Sequence, residues 1–150
     1  MLPKTHIFLG AVFSFLLVVL FEVPVYAGVI VFFSSFFIDV DHYFYGVYKK
    51  KTFSWAKIYS FFVEEREMWR KLSYVGKKKT KFPILLFHGG EFLIILFLLS
   101  FLSDFLLFVL LGCGFHLVLD YVDIFVNKDP LFVKASVLYV LLTNHGKKEL

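Results

Sequence analysis

Four long apolar runs alternate with one broad polar stretch along the chain: residues 5–21, 23–38, 82–102 and 105–119 are almost free of charge. Each is close to the roughly 20 apolar residues that a helix needs to cross a bilayer, if a few polar positions are allowed. Only short connections, carrying Glu22 and Asp104, separate the first run from the second and the third from the fourth, so these neighbours run antiparallel. The pattern predicts an all-α, polytopic membrane helix bundle with four transmembrane helices, up-down-up-down, in a single domain over residues 1–150. No small-x-small cleavage site follows the first run and Pro24 opens another apolar run, so a retained helix is expected there rather than a signal peptide.

Two shorter elements complete the pattern. In the polar stretch, Trp55, Ile58, Phe62 and Trp69 recur near helical spacing with charges between them, which predicts an amphipathic helix lying on the inner membrane face. The last apolar piece, residues 131–144, is too short to span and carries Lys134, so a short C-terminal interfacial helix, or a cap on the bundle, is expected. No internal repeat or low-complexity linker is visible.

Composition agrees with a second solvent. Of 150 residues, 59% are hydrophobic and 22 are Phe, against about half apolar in a soluble domain. Charge then orients the chain. Residues 43–81 hold Lys49, Lys50, Lys51, Lys57, Arg66, Arg70, Lys71, Lys77, Lys78, Lys79 and Lys81. The positive-inside rule places this loop and both termini in the cytoplasm of an inner (plasma) membrane protein. The basic run "KKKTK" suits attraction to anionic headgroups, and no base-reading motif is present, so the lipid bilayer rather than nucleic acid is the expected partner. Nothing in the sequence sets an oligomeric state. The single cysteine, Cys113, lies between glycines in a position suited to close helix approach.

The polar residues inside the apolar runs carry the chemistry. His6 begins the first helix, Asp39, Asp41 and His42 end the second, His88 and Glu91 open the third, and His116, Asp120 and Asp123 lie late in the fourth. In an up-down-up-down bundle all of these fall at the cytoplasmic helix ends, so four of the five histidines share one leaflet. At about 100° per residue, His116 and Asp120 are about 40° apart, and Asp123 returns to within about 20° of His116. His88 with Glu91 and Asp39 with His42 also share faces. Each group has a plain alternative: His6 at the headgroups, the "DVDH" cluster as a solvated helix end. Ionisable groups at membrane depth are costly, face the bundle interior and usually pair or bind something. Paired His and carboxylate on facing helices is how bundles build metal sites, and this donor set suits zinc, iron or manganese better than calcium.

"THIFLGAVFSFL", "SSFFIDVDHYFYG", "FHGGEFLIILFLL" and "GFHLVLDYVDIF", in that order, resemble the membrane-bound metal-dependent hydrolases known as YdjM-like inner-membrane proteins. That family carries an early His followed by Gly, a PDxDH box, a central His box and a late HxxxD box. Here Ile38 stands where the box has proline, and the central box is reduced to "HGGE". The resemblance implies that His6, Asp39, Asp41, His42, His88, His116 and Asp120 are metal ligands, with zinc the first expectation. Metal-assisted hydrolysis is the expected mechanism, with Glu91 or Asp41 as the catalytic general base, and Asp123, one turn beyond Asp120, is placed to orient a ligand histidine. A looser likeness to zinc-dependent phospholipase C and P1-type nucleases implies phosphoester hydrolysis, and a site opening at the inner leaflet beside a basic loop makes a lipid headgroup the expected substrate class. Two other classes compete: an ion or metal transporter, which needs ionisable groups towards both faces, and a non-catalytic membrane protein whose metal holds the bundle together.

The topology has a direct check. A reporter fused after residue 60 is expected to report cytoplasm and one fused at Ser103 the outside; the reverse pattern would dissolve the one-leaflet argument.

Overall fold

The structure, a computed structural model, describes residues 3–149. Among the described residues it is helical throughout, with no strand beyond an isolated parallel bridge between Thr80 and Lys148. The helices are α1 (Pro3–Leu20), α2 (Val25–Phe37), α3 (Val40–Lys50), α4 (Trp55–Lys71), α5 (Tyr74–Lys79), α6 (Gly90–Ser100), α7 (Asp104–Val126) and α8 (Val137–Thr143). Single 3₁₀ turns at Leu86–His88 and Leu131–Val133 precede α6 and α8.

Three helices are long and apolar enough to cross a membrane: α1, α7, and the continuous stretch Val25–Lys50 that joins α2 to α3. Their outward faces carry large exposed apolar side chains, among them Phe8, Phe15, Phe33, Val118 and Phe125, as lipid-facing helices do. The third apolar run departs from the expected 82–102 helix. Only Gly90–Ser100, 11 residues, is α-helical there, about 16 Å of rise against a hydrocarbon core of about 30 Å. Pro83 has no N–H to give a helix, and it disfavours helical backbone at Phe82. Residues 81–85 are therefore extended, and side chains satisfy their backbone: Asn144 Oδ1 accepts from Phe82 N at 3.0 Å, and Asn144 Nδ2 donates to Phe82 O at 2.9 Å.

The second run departs in a different way. It does not stop at its acidic cluster; α2 ends in a turn at Ile38 and Asp39, where Asp39 N bonds Phe36 O, and α3 then continues to Lys50. The break puts Asp39, Asp41 and His42 within the helical path instead of at a frayed end.

Packing centres on α2, which lies between α1 and α7, with α6 against the far side of α7 and α4 against α3. Small residues set the crossings. A Cβ at Gly112 would lie 2.5 Å from Val31 O and 2.7 Å from Ser34 Cβ, so α2 and α7 meet backbone to backbone. A Cβ at Gly10 would meet Ser35 Oγ at 2.1 Å, so α1 packs directly on the Ser35 side chain of α2. Ile38, Leu96, Cys113 and Leu117 form the apolar core on the α6 side.

The amphipathic helix α4 forms as expected, with Ile58 and Phe61 buried. Its far half is tied to the end of α7. Arg66 pairs with Asp123 at 3.1 Å, and Asp129 accepts from Trp69 Nε1 at 3.0 Å and from the buried Lys77 ammonium at 2.6 Å.

The two glycines flanking Cys113 make opposite predictions. Gly112→Ala should lose about 1–3 kcal/mol by prying α2 from α7, whereas Gly114→Ala, whose added Cβ meets nothing within 4 Å, should be neutral. Thermal unfolding of the detergent-solubilised protein measures both; equal losses would contradict the crossing described here.

Candidate metal centre

The break between α2 and α3 prepares the site. Ser35 lies in the last turn of α2, where carbonyls lose their intrahelical partners. Its carbonyl accepts instead from His116 Nδ1 at 2.7 Å. Because a carbonyl only accepts, Nδ1 of His116 carries the proton and Nε2 is left as a lone pair.

Asp41 does the same for His88. It is buried in the first turn of α3, where a carboxylate suits the helix dipole. Its Oδ2 accepts from Phe87 N at 3.0 Å and from His88 Nδ1 at 3.1 Å, while Oδ1 lies 3.1 Å from His42 Nδ1. Both carboxylate oxygens are thus used in holding the 3₁₀ turn and two imidazoles.

The two fixed rings then confront each other. His88 Nε2 and His116 Nε2 are 3.2 Å apart, and both residues are at most 1% exposed. With both Nδ1 atoms protonated and both rings neutral, two lone pairs would face one another across that gap, a contact that a bridging proton or a bound cation relieves. Two carboxylates flank the pair. Asp39 Oδ1 is 3.3 Å from His88 Nε2 and 3.5 Å from His116 Nε2; Asp120 Oδ2 is 3.6 Å and 3.4 Å from the same atoms. Donors held about 2.0–2.1 Å from one tetrahedral ion lie roughly 3.3–3.4 Å from each other.

Asp39 has a further peculiarity. It stands at the N-cap of α3, where its side chain would ordinarily accept a backbone N–H, yet it makes no capping bond. Its Oδ1 is turned to the imidazoles and is also 3.3 Å from His42 Nδ1. This is the opposite of a solvated helix end.

His6 closes the cluster from α1. Its ring stacks on His116 with centroids 3.9 Å apart, its Nε2 is 3.4 Å from Asp120 Oδ1, and its buried Nδ1 has no hydrogen-bond partner among the described residues. An unpartnered nitrogen in a fully buried imidazole is costly. Three overlapping triads of donors lie within ion-binding distance: His6, Asp39 and His116; Asp39, His42 and His88; His88, His116 and Asp120. These buried His and Asp groups could hold a metal ion, and the orphaned His6 nitrogen and the opposed lone pairs both fit one.

Of the residues singled out in the sequence, His6, Asp39, His42, His88, His116 and Asp120 come together. Asp41 touches the site as a brace for two of its imidazoles, with both carboxylate oxygens engaged. Glu91 does not join it: Ser136 Oγ, Val137 N at 3.0 Å and Leu138 N at 3.3 Å all donate to its carboxylate, which anchors the start of α8. Asp123 pairs with Arg66 and Asn127. Residue spacing offers no reason to include Lys134, whose ammonium bonds Asp120 Oδ2. Its only sequence signal is a lone charge in an apolar segment.

A cavity of about 660 Å³ adjoins the centre. Asp39, His42, Asp120 and Lys134 line its floor, Phe36, Phe37 and Ile7 line one wall, and α4 supplies another through Tyr59, Phe62 and Arg66. On that wall Glu65 is half-buried, and desolvation raises its pKa above the ordinary carboxylate value against the pull of Lys49 and Lys50. No family model matches the chain, and no curated protein or solved structure matches it either. The likeness to YdjM-like proteins therefore rests on its four boxes alone.

Two substitutions separate holding a ligand from being one. His116→Ala should abolish tight zinc binding, whereas Asp41→Asn should weaken it about 10–100-fold, as the loss of an orienting partner does. Isothermal titration of metal-stripped protein distinguishes them, and unchanged affinity in His116→Ala would remove that residue from the centre.

Proposed function

We propose that this protein is a membrane-bound metal-dependent hydrolase of the YdjM-like kind, acting at the cytoplasmic leaflet on a phosphoester such as a lipid headgroup. The observation that carries the proposal is the facing pair His88 and His116, flanked by Asp39 and Asp120, at the floor of a cavity with an apolar wall. A metal that only tied helices together would have no use for such a cavity; a substrate site does. The outer parts of the spanning helices carry no matching ionisable groups, which favours a one-sided site over a transport path.

The arrangement in the membrane follows from the same features. The third crossing is shared between residues 82–89 and α6. Irregular backbone at membrane depth is tolerated where protein buries it, and Phe82, Leu85 and His88 are buried. The basic loop and α4 then lie on the cytoplasmic side.

In this proposal His88, His116, Asp39 and Asp120 hold the ion, zinc first, with His6 beside them. When bound, the ion would acidify water and polarise the attacked oxygen. The remaining work belongs to the chain. Asp41 keeps His88 and His42 in place, and the Ser35 carbonyl keeps His116 from rotating. His42 lines the cavity with Nδ1 engaged by Asp41, so its Nε2 is the nitrogen able to accept and release a proton. It replaces Glu91 and Asp41 as the base because both of those carboxylates are already engaged. The apolar wall would accept the acyl portion of an amphiphile and keep bulk water from the reacting bond.

Zinc-loaded protein in nanodiscs should hydrolyse an activated phosphodiester or short-chain phospholipid. Chelation should remove the activity and added zinc restore it. His42→Gln should lower kcat by about 10²–10⁴ while keeping its metal. Hydrolysis that persists in metal-free protein would overturn the proposal.

A further inference from the structure

The His and Asp centre lies partway along the spanning helices, not at their ends. From the turns that carry Glu22 and Asp104, the rise to His6 on α1 and to His116 on α7 is about 18–21 Å at 1.5 Å per residue. A hydrocarbon core is about 30 Å thick, so about 10 Å of it extends past the centre. Apolar surface is there to meet it. Beyond His116, α7 exposes Val118, Val122 and Phe125 at helical spacing, and beyond Asp39, α3 exposes Phe44 and Tyr48.

The cavity beside the centre reaches this lipid-facing surface. On α1, His6, Gly10 and Ser14 turn inward. Ile7, about 100° around the helix from His6, is 43% exposed and also lines the cavity. On α2, Val29, Phe33 and Phe37 form an exposed row at i,i+4 spacing, and Phe37, 58% exposed, lines the cavity too. Gly10 packs on Ser35, so one turn nearer the centre Ile7 and Phe37 come level on neighbouring helices. Side chains that belong both to a lipid-facing row and to a cavity wall mark the rim of an opening.

The facing wall is one face of α4. Trp55, Tyr59, Phe62, Arg66 and Arg70 recur there at i, i+4, i+7, i+11 and i+15, and all line the cavity. The wall passes from aromatic to charged along a single helix, which is the polarity order of an amphiphile. Phe62 stands next to the centre, its ring centroid 5.9 Å from that of His42.

We infer that the cavity opens sideways into the bilayer, between α4 and a lip formed by Ile7 and Phe37, and that its occupant is a membrane phospholipid whose acyl chain crosses the lip while its headgroup reaches the centre. This rests on the hydrolase reading above and adds the route: the substrate arrives from within the leaflet, not from the cytoplasm. Trp55 and Tyr59, whose rings favour the membrane interface, keep α4 at the level where headgroups and acyl chains meet. A phosphoester without an acyl chain makes no contact with the lip.

The test is photocapture in vesicles of phosphatidylethanolamine and phosphatidylglycerol, with p-benzoylphenylalanine in place of Phe62 inside the cavity or of Phe15 on the outer face of α1. Irradiation should add the mass of one phospholipid to the chain with the probe at either site. Ile7→Trp and Phe37→Trp, each of which crowds the lip, should lower capture at residue 62 several-fold and leave capture at residue 15 unchanged; either variant suffices if only one remains monodisperse. Capture at residue 15 without capture at residue 62 would overturn the inference, and so would capture at residue 62 that crowding the lip does not change. Capture that follows the lip in zinc-loaded protein that hydrolyses no phospholipid would support the lateral opening and sink the hydrolase reading alone.

Discussion

Two imidazole nitrogens 3.2 Å apart in an apolar helix bundle, each ring held from its far side, are the constraint around which the rest of the structure is arranged. Water would solvate such a pair, and a buried pair needs a bridging proton or a cation instead. Each feature around it keeps that demand in place rather than relieving it. The Ser35 carbonyl and the Asp41 carboxylate hold Nδ1 of each ring, which turns both Nε2 atoms inward. Asp39 forgoes the capping bond its position invites and turns its oxygen to the rings. A sequence selected only for a stable bundle would have replaced this cluster with apolar residues at no loss, since buried ionic groups rarely improve stability over hydrophobic packing.

The helical scaffold explains how four separate segments reach one point. Gly112 lets α7 close on the α2 backbone and Gly10 lets α1 close on the Ser35 side chain, which brings His6 and His116 near enough to stack. The turn at Ile38 and Asp39 frees a carbonyl for His116 and starts a new helix whose first turn holds Asp41. Pro83 and the glycine pair 89–90 deny the third apolar run a full helix, and the resulting 3₁₀ turn sets His88 between Asp41 and His116. The irregular backbone and the site share these causes.

Much of this was legible in the sequence. Helical spacing alone put His116 and Asp120 on one face, and the order of the polar clusters along antiparallel runs placed His6, Asp39, His42, His88 and His116 at one end of the bundle. What spacing did not resolve was the division of labour among neighbours. Asp39 and Asp41 are two residues apart, and only the turn between α2 and α3 decides that one faces the centre while the other braces it. Glu91 shares a helical face with His88 only if both lie in one α-helix; since His88 is in a 3₁₀ turn and Glu91 in the first turn of α6, their side chains part. Lys134 was invisible for another reason. Its contact with Asp120 depends on where a connection folds back, and no periodicity encodes that.

The coordination of the bound ion tests the central claim most directly. X-ray absorption on the zinc-loaded protein should show nitrogen and oxygen ligands at about 2.0–2.1 Å, with the outer-shell scattering of two or more imidazoles and a loss of imidazole scattering in His88→Ala. An oxygen-only shell without imidazole signals, or a spectrum unchanged by that substitution, would contradict a metal centre built on His88 and His116.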